Sequence, residues 1–457
     1  MSGLFDSLSS ASNSLNAQRM GMDLVGQNLA NVNTEGYSKR QLLLDERPAT
    51  DANSAGRGVE VAGIRSTRDG FIQSRLNQEQ PAASMDATVA DALSVAESSL
   101  GAAGSSLDAS LEQFFSAFSA LSENPVSPEL RDGVARQGDA LAQMFHDISD
   151  RLTTVGSDAD AAIVGSVGEI NRLTAQIGEY NAQVMSANGR DVSSIVDARD
   201  NALHQLSQFA DVMVTQRSDG GMDVSVGGGR ALIVGANATA LTTGSAPGTG
   251  KTTILLAGTD IGGDIHGGKV AGQMAVRDQY VPGYLDKLDT LAFDFGTAVN
   301  DLHATGIDAN GNAGTAFFQL PGSVGGAASA IAMNSAIVDD PQLIAASATG
   351  AVGDNGVARQ IAALRDVRSL DGGTATAASM WGRLVYAVGA DTVSAGSSRD
   401  GRQAVMDQLS RLRDAASGVS MDEEAASLMR FQRGYEANAR FFTTINTALD
   451  TLMGMVK

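Results

Sequence analysis

Four groups of residues have types and spacings that could do chemistry. Ser245-Ala-Pro-Gly-Thr-Gly-Lys251-Thr252 sets glycines ahead of a lysine and a hydroxyl, much as in a loop whose glycine amides cradle phosphates. Ser245 stands where the first glycine of that pattern belongs, and Gly244 is displaced by one. A phosphate loop also opens a helix, whereas Thr252 to Leu256 is β-prone and soon meets Gly258, so a hairpin turn is expected. Asp308, Asn310 and Asn312 have the odd spacing of a calcium loop, but Ala313 holds the glycine position and Gln319 that of the bidentate glutamate. A polar turn is expected there. His146, His204, His266 and His303 are scattered without paired spacing and are expected to be structural or solvated. Asp197, Arg199 and Asp200 fall on a predicted helix, where solvated ion pairing is the expectation. No Gly-x-Ser-x-Gly elbow or His-Glu-x-x-His helix occurs. We therefore expect no catalytic, cofactor-binding or metal-binding residues; a secreted enzyme or nucleotide-binding protein is the distant alternative.

Composition points the same way. Lys and Arg number 32 against 52 Asp and Glu, a formal charge of −20 that repels phosphate backbones and anionic headgroups. Neither nucleic acid nor a membrane is expected as a partner. Cysteine is absent, which removes disulfides, thiolate zinc sites and cysteine nucleophiles together. The first thirty residues lack the continuous apolar block of a cleavable signal, and no stretch approaches the ~20 apolar residues of a membrane span. The chain is expected to be cytoplasmic or exported by a route that needs no such signal. With 457 residues, two or three domains are expected. Abundant glycine (52) and few aromatics (5%) suit closely packed helices better than an aromatic-lined pocket.

The elements that would position functional residues are clearest at the two ends. Leu4, Leu8, Ala11, Leu15, Gln18, Met22, Val25 and Leu29 step by four and three, the seam of a heptad repeat. Leu428, Phe431, Tyr435, Asn438, Phe442, Ile445, Leu449, Leu452 and Val456 do the same, and Ser420 with Glu423 predicts a capping box ahead of them. So narrow a seam needs a partner helix, from the other terminus, from another copy, or from both.

Between the ends, apolar spacing predicts helices through Val89–Leu100, Leu107–Leu121, Leu130–Leu152 (capped by Ser127 with Pro128 first), 158–187 with Asn188-Gly189 as its stop, and Ile195–Phe209. Alternation at Met222, Val224 and Val226, then Gly227 to Gly229 before Ala231 to Val234, predicts a hairpin. That style extends through the glycine-punctuated segment to Gly272. Helical spacing resumes at Tyr284–Val299 and again near Ile361–Val367, Met380–Val388 and Val405–Leu412. The predicted fold is mainly α with a small β-rich insertion. Its parts are a terminal coiled coil (1–36 with 418–457), a helical rod of long helices (37–210 with 276–417), and a β-rich outer domain (211–275).

The segment Ala30-Asn31-Val32-Asn33-Thr34-Glu35-Gly36-Tyr37-Ser38-Lys39-Arg40-Gln41 resembles the signature that ends the N-terminal helix in axial proteins of the bacterial flagellum. Gly-Tyr followed closely by Arg-Gln is most similar to the hook-filament junction family, the first hook-associated proteins. Ser417–Glu424, Arg430–Ala439, Gly58–Val61, Asp197–Asp200 and Gly306–Asn312 with Phe317-Phe318 agree with the same family. Two features depart from it: Lys39, inserted between Ser38 and Arg40, and a β region smaller than in members with a large outer domain. The terminal motifs alone specify only an axial protein, so a sibling hook or distal-rod protein is the near alternative.

The resemblance implies a structural protein that polymerises as the zone between hook and filament. Its implied partners are further copies of itself in a helical or ring-like homo-oligomer, the hook protein, and the next hook-associated protein on the filament side. It also implies unfolded export through the flagellar type III channel to an extracellular position, and an export chaperone that binds the C-terminal helix. Terminal segments mobile in the monomer would order as an inner coiled-coil tube on assembly. On that basis the N-terminal assembly seam is Leu4, Leu8, Leu15, Met22, Val25 and Leu29, continued by Asn31, Asn33, Thr34, Gly36 and Tyr37 of the signature. The C-terminal seam, for assembly and the chaperone, runs from Leu428 to Val456 through the nine positions given above.

Overall fold

A computed structural model describes residues 2–34, 36–48, 58–101, 106–187 and 191–455. Helix α1 (Ser2–Ala30) leads into an antiparallel pair, β1 (Arg40–Glu46) and β2 (Val59–Ser66), and then into α2 (Gly70–Ser99), α3 (Leu107–Glu123), α4 (Pro128–Met185) and α5 (Ser193–Phe209). Seven short strands follow: β3 (Val212–Gln216), β4 (Met222–Val226), β5 (Arg230–Val234), β6 (Asn237–Ala238), β7 (Leu241–Ser245), β8 (Thr252–Leu256) and β9 (Thr259–Asp260). They form antiparallel sheets ordered β3-β4-β5-β6 and β7-β8-β9. After α6 (Gly268–Ala275) and α7 (Val281–Ala304) come β10 (Phe318–Gln319), α8 (Ala327–Ala330), β11 (Ala332–Met333), α9 (Ser335–Asp339) and α10 (Gly356–Ala363). The long helices α11 (Ala377–Ser417) and α12 (Met421–Met455) close the described residues. The fold is mainly helical with small antiparallel sheets, as the spacing predicts.

Several helices are longer than predicted. The two expected over 128–187 are one helix of 58 residues, α4. Gly156, in the expected gap, costs only about 1 kcal/mol against alanine. Its bare Cα also faces Val281, whose Cγ1 would lie 3.3 Å from an added Cβ. Ser127 caps this helix by accepting from the Leu130 N–H at 3.3 Å, with Pro128 in the first turn. Met380–Val388 and Val405–Leu412 likewise belong to one helix, α11, opened by reciprocal hydrogen bonds between Thr376 and Ser379. The β-rich stretch ends sooner than predicted, at Asp260, because Gly268 starts a helix. A side chain on Gly268 would collide with the backbone of Phe209 and Ala210. Helices α6 and α7 join through a π turn at Val276–Tyr280, where the Val281 N–H donates to the Val276 carbonyl. Pro282 follows immediately, and a proline that lacks an N–H and crowds the preceding turn accounts for the widened register. Asn188-Gly189, the predicted stop of α4, lies outside the described residues.

Two apolar cores form. One gathers α2, α3, the first half of α4, α7 and the elements from β10 to α11 around Phe114, whose ring meets Phe118 at 5.1 Å and Phe295 at 5.4 Å, mostly edge to face. Phe317 and Phe318 belong to this core. The other lies between the second half of α4, α5 and the inner faces of the sheets.

Helix side chains seat the starts of strands. Asn171 pairs with both backbone groups of Leu241, the first residue of β7. Asn181 does the same for Met222 of β4, and Asn300 for Phe318 of β10. At Thr252, which begins β8, Asp160 accepts the N–H at 3.0 Å while Arg277 donates to the carbonyl at 2.7 Å.

Candidate functional site

The stretches singled out for chemistry fold as structural turns. Ser245 ends β7 and Thr252 begins β8, with the Ala246 N–H donating to the Lys251 carbonyl at 2.8 Å across the hairpin. Lys251 is held by Asp278 at 2.9 Å and stands in no phosphate cradle. Asp308 closes its own turn by accepting from the Asn310 and Asn312 N–H groups, each at 2.8 Å. His303 is buried; Ala345 N–H donates to its Nε2 at 2.8 Å, so Nδ1 carries the proton and donates to the Thr315 carbonyl. Among the described residues, no group of three or more histidine and acidic side chains is placed to hold a metal. No helix there is long and apolar enough to cross a membrane.

What the fold does build is a pair of terminal helices, α1 against α12, with the β1–β2 hairpin also lying on α1. The helices approach closely where glycine permits. A side chain on Gly21 would run into the Phe431 ring, and one on Gly434 would meet the end of Gln18. On α1, Val25 is buried, while Leu4, Leu8, Leu15, Met22 and Leu29 are half-buried. The deepest line on this helix is Ala17, Gly21, Leu24 and Asn28, beside the predicted seam. Coverage by two elements, helix and hairpin, explains why a second line sinks in next to the first. On α12, Ile445 is buried, and Leu428, Phe431, Asn438, Phe442 and Leu449 are half-buried. Tyr435 is 39% and Leu452 44% exposed, so each is only partly covered by the described residues. Gly434 takes the inward position that the spacing gave to Tyr435. Val456 lies outside the described residues.

The base of this pair is fastened to the body by polar groups. Asn28, 1% exposed, accepts from the Arg40 N–H at 3.1 Å and the Tyr37 hydroxyl at 2.8 Å. It donates to the Arg40 carbonyl and to Glu424 Oε2, both at 3.0 Å. Glu424, 2% exposed, holds Lys39 Nζ on its other oxygen at 3.1 Å. Lys39 also reaches Glu423 at 2.7 Å, so the Glu423 carboxylate bonds to lysine instead of closing the predicted capping box with Ser420. Burial works against the Lys39 charge, but hydrogen bonds to Glu423 and Glu424 outweigh it and raise the pKa; the same lysine lowers that of Glu423. Burial raises the Tyr37 hydroxyl, with Asp197 and Glu424 adding to the effect and Arg40 opposing it.

Asp197 is the other anchor. Its side chain is only 10% exposed and takes Arg40 at 3.2 Å and Arg68 at 2.5 Å; Arg68 continues to Asp200 at 2.8 Å. Arg199 turns the other way, donating to Asn181 and to the Gly220 carbonyl. The expected solvated ion pairs are thus a largely buried bridge from α5 to the hairpin, and burial raises the Asp200 pKa despite Arg68 and Arg199. In the signature segment, Asn31 accepts from the Thr34 hydroxyl and donates to the Gln27 carbonyl. Gly36, at φ +78, makes a turn that other residues rarely adopt, and Asn33 is exposed.

Comparison with known proteins assigns this architecture. Residues 93–318 match the flagellar hook-associated protein FlgK helical domain, and residues 414–455 match the flagellar basal body rod FlgEFG protein C-terminal family. Flagellar hook-associated protein 1 of Bacillus subtilis is 27% identical, with 99% of this chain and 98% of that protein aligned. The Escherichia coli protein of the same name is 23% identical over 98% and 99%. The chain belongs to the flagellar hook-associated protein 1 family. The fold agrees with a solved flagellar hook junction protein FlgK from Burkholderia pseudomallei, at TM-score 0.68 and 16% identity over 76% of this chain and all of that one.

The rod-type match starts at Asp414, in the last turn of α11, and takes in the described α12. Spacing alone missed Asn28, Glu424 and Lys39 as the fastening. Lys39 entered the sequence reading as a departure from the family signature; in the structure it meets the starts of β1 and α12 and the end of α11. An inward asparagine on an otherwise apolar helix face was the one available signal for Asn28.

Proposed function

We propose that the chain is a non-catalytic structural protein of the flagellum, laid down between hook and filament, with α1 and α12 as the surfaces through which copies associate. The observation that carries this reading is the division of its matches: the hook-associated helical-domain family on the body, the axial rod-type family on α12. Support comes also from apolar side chains along α12: Met429, Phe441, Met453 and Met455 are each at least half exposed among the described residues. The rod-type match on α12 is what a sibling hook or rod protein would also have, but the body match favours the junction.

In this reading Leu428 to Val456 is both the assembly seam and the segment an export chaperone shields before secretion, and Leu4 to Tyr37 supplies the other half. The neighbours are the hook protein below and the next hook-associated protein above. The test is electron microscopy of cells lacking the gene, with filament protein assayed in the medium. Bare completed hooks with shed filament monomers are expected. Intact filaments would refute a required junction role, and missing hooks would move the protein down to hook or rod.

A further inference from the structure

Between the two cores the interior turns polar. On α4, Ala159 is the last residue of one core and Ile163 the first of the other; on α6 the corresponding pair is Ala275 and Ala271. At this boundary Ser166 of α4 donates to Gln273 of α6 at 3.1 Å, and both are buried. The Arg277 side chain, 8% exposed, is the centre of the layer. Its Nη1 donates to Asp160 of α4 at 2.6 Å and to the Thr252 carbonyl at 2.7 Å, and its Nε and Nη2 hold the two oxygens of Asp278. Asp160 also accepts from the N–H and hydroxyl of Thr252, and Asp278 takes Lys251. One guanidinium thus ties together α4, the π turn and β8.

Helices that cross this layer are weakened at the same level. Helix α4 carries Gly156, one turn before Asp160 and facing Val281. Helices α6 and α7 meet in the π turn, with Pro282 just beyond it. Helix α11 carries Gly396 and Gly401, where an added Cβ would meet open space. Bonds from Tyr284 to Asp391 at 2.9 Å and from Arg402 to Asp86 at 3.1 Å set these two glycines beside the π turn and the middle of α2. Glycine and a widened turn each make a helix easier to bend. Pro81, inside α2, lies lower, beside Gly267 ahead of α6.

We propose that this level is a latent joint between the two halves of the body, and that Arg277 is the brace that keeps it rigid. With the guanidinium in place, a bend that parts α4 from the π turn must pull Nη1 from both Asp160 and Thr252, leaving a buried cation half paired. Without it, Asp160 and Asp278 are open enough for water to serve them, and the bend costs little. Arg402, 45% exposed, is no substitute, because water serves it in either pose. Giving each assembled copy one fixed shape is a role that rests on the function proposed above; the brace itself does not.

The chain has no cysteine, so a pair introduced at the exposed positions Gln205 and Lys287 would carry spin labels without a background. The first lies on α5, which packs in one core, and the second on α7, which packs in the other. Pulsed electron resonance on the full-length monomer then reads the distance distribution between the two halves. Arg277→Met should broaden it about twofold, with far-UV helicity retained, while Arg402→Gln leaves it as in the parent. Adding Gly396→Ala and Gly401→Ala to Arg277→Met should narrow it again, since both positions have room for a methyl group and alanine favours the helix. Should Arg277→Met fail to fold, Asp160→Asn, which keeps an acceptor for Thr252 and removes the charge facing Arg277, should broaden the distribution by a smaller amount. A distribution equally narrow in parent and Arg277→Met, or one already broad in the parent, would overturn the brace. Broadening that the two alanines do not reverse would overturn the joint at this level. Motility of the same variants is scored separately: a broadened monomer with normal filaments would keep the brace and remove its part in assembly.

Discussion

Asn181 holds Met222 as a neighbouring strand residue would, accepting its N–H at 3.2 Å and donating to its carbonyl at 2.7 Å. The same amide donates to the Gly235 carbonyl at 2.7 Å and accepts from Arg199 at 3.0 Å. One side chain of α4 thereby pairs the start of β4, which lies beyond that strand's register with β5, and fixes the turn after β5. Replacing it by leucine would strand four buried groups. We expect Asn181→Leu to lose about 3–5 kcal/mol in urea denaturation, and Asn171→Leu, whose site is part-buried, about 1–3 kcal/mol. Equal and small losses at both positions would mean that water replaces the clasps.

Gly21 and Gly434 make opposite predictions, although each sits on a helix where alanine is intrinsically better by about 1 kcal/mol. A methyl group at Gly21 collides with the Phe431 ring, whereas one at Gly434 meets only the movable end of Gln18. Gly21→Ala should loosen α12 from α1, read as severalfold faster tryptic cleavage after Arg430, Arg433 and Arg440, and Phe431→Ala should reverse it. Gly434→Ala should leave cleavage unchanged.

His303 links stability to pH. Burial lowers its pKa, so the folded chain binds this proton less readily than the unfolded chain, whose histidine titrates near ~6.5. Its contribution is complete above that value and declines as pH falls through and below it. Between pH 7.5 and 5.5 the parent should lose about 1 kcal/mol more than His303→Gln does, by urea midpoints at the two pH values. Identical pH dependence in both proteins would remove His303 from the account.

Ile445 and Tyr435 both lie in the predicted C-terminal seam, yet only Ile445 is buried within the chain. Ile445→Asp should disturb the monomer itself, lowering helicity. Tyr435→Asp should leave the monomer's melting curve unchanged and reduce self-association, measured by sedimentation at high concentration. Unaltered association in Tyr435→Asp would place that side chain outside the contact between copies.

Helices were legible where apolar residues recur at helical spacing, as at Leu107–Leu121 and Tyr284–Val299, because burial along one stripe leaves that trace. Glycine misled at 156 and in α11, since the modest helix cost of glycine was outweighed by packing that spacing cannot show. The fastening at the base of the terminal helix pair was legible only as a family signature. Nothing local to Lys39 announces that Glu424, hundreds of residues away, will be folded onto it, and Glu423 was readable as a cap because a capping box is a local pattern. Asn171, Asn181 and Asn300 were silent for a related reason: a lone amide on a helix has no period, and its strand partner is fixed only once the sheets are docked.

Helix α4 is a single rod of 58 residues, about 87 Å end to end. Val134 to Ala159 lies in one core and Ile163 to Ile177 in the other, with no break between. The two cores are thereby joined in series by a covalent strut, so neither can melt far without unwinding the beam that also braces its neighbour. A pull or twist applied at one end would be carried as strain along this helix, and the body would yield as one stiff unit rather than bead by bead.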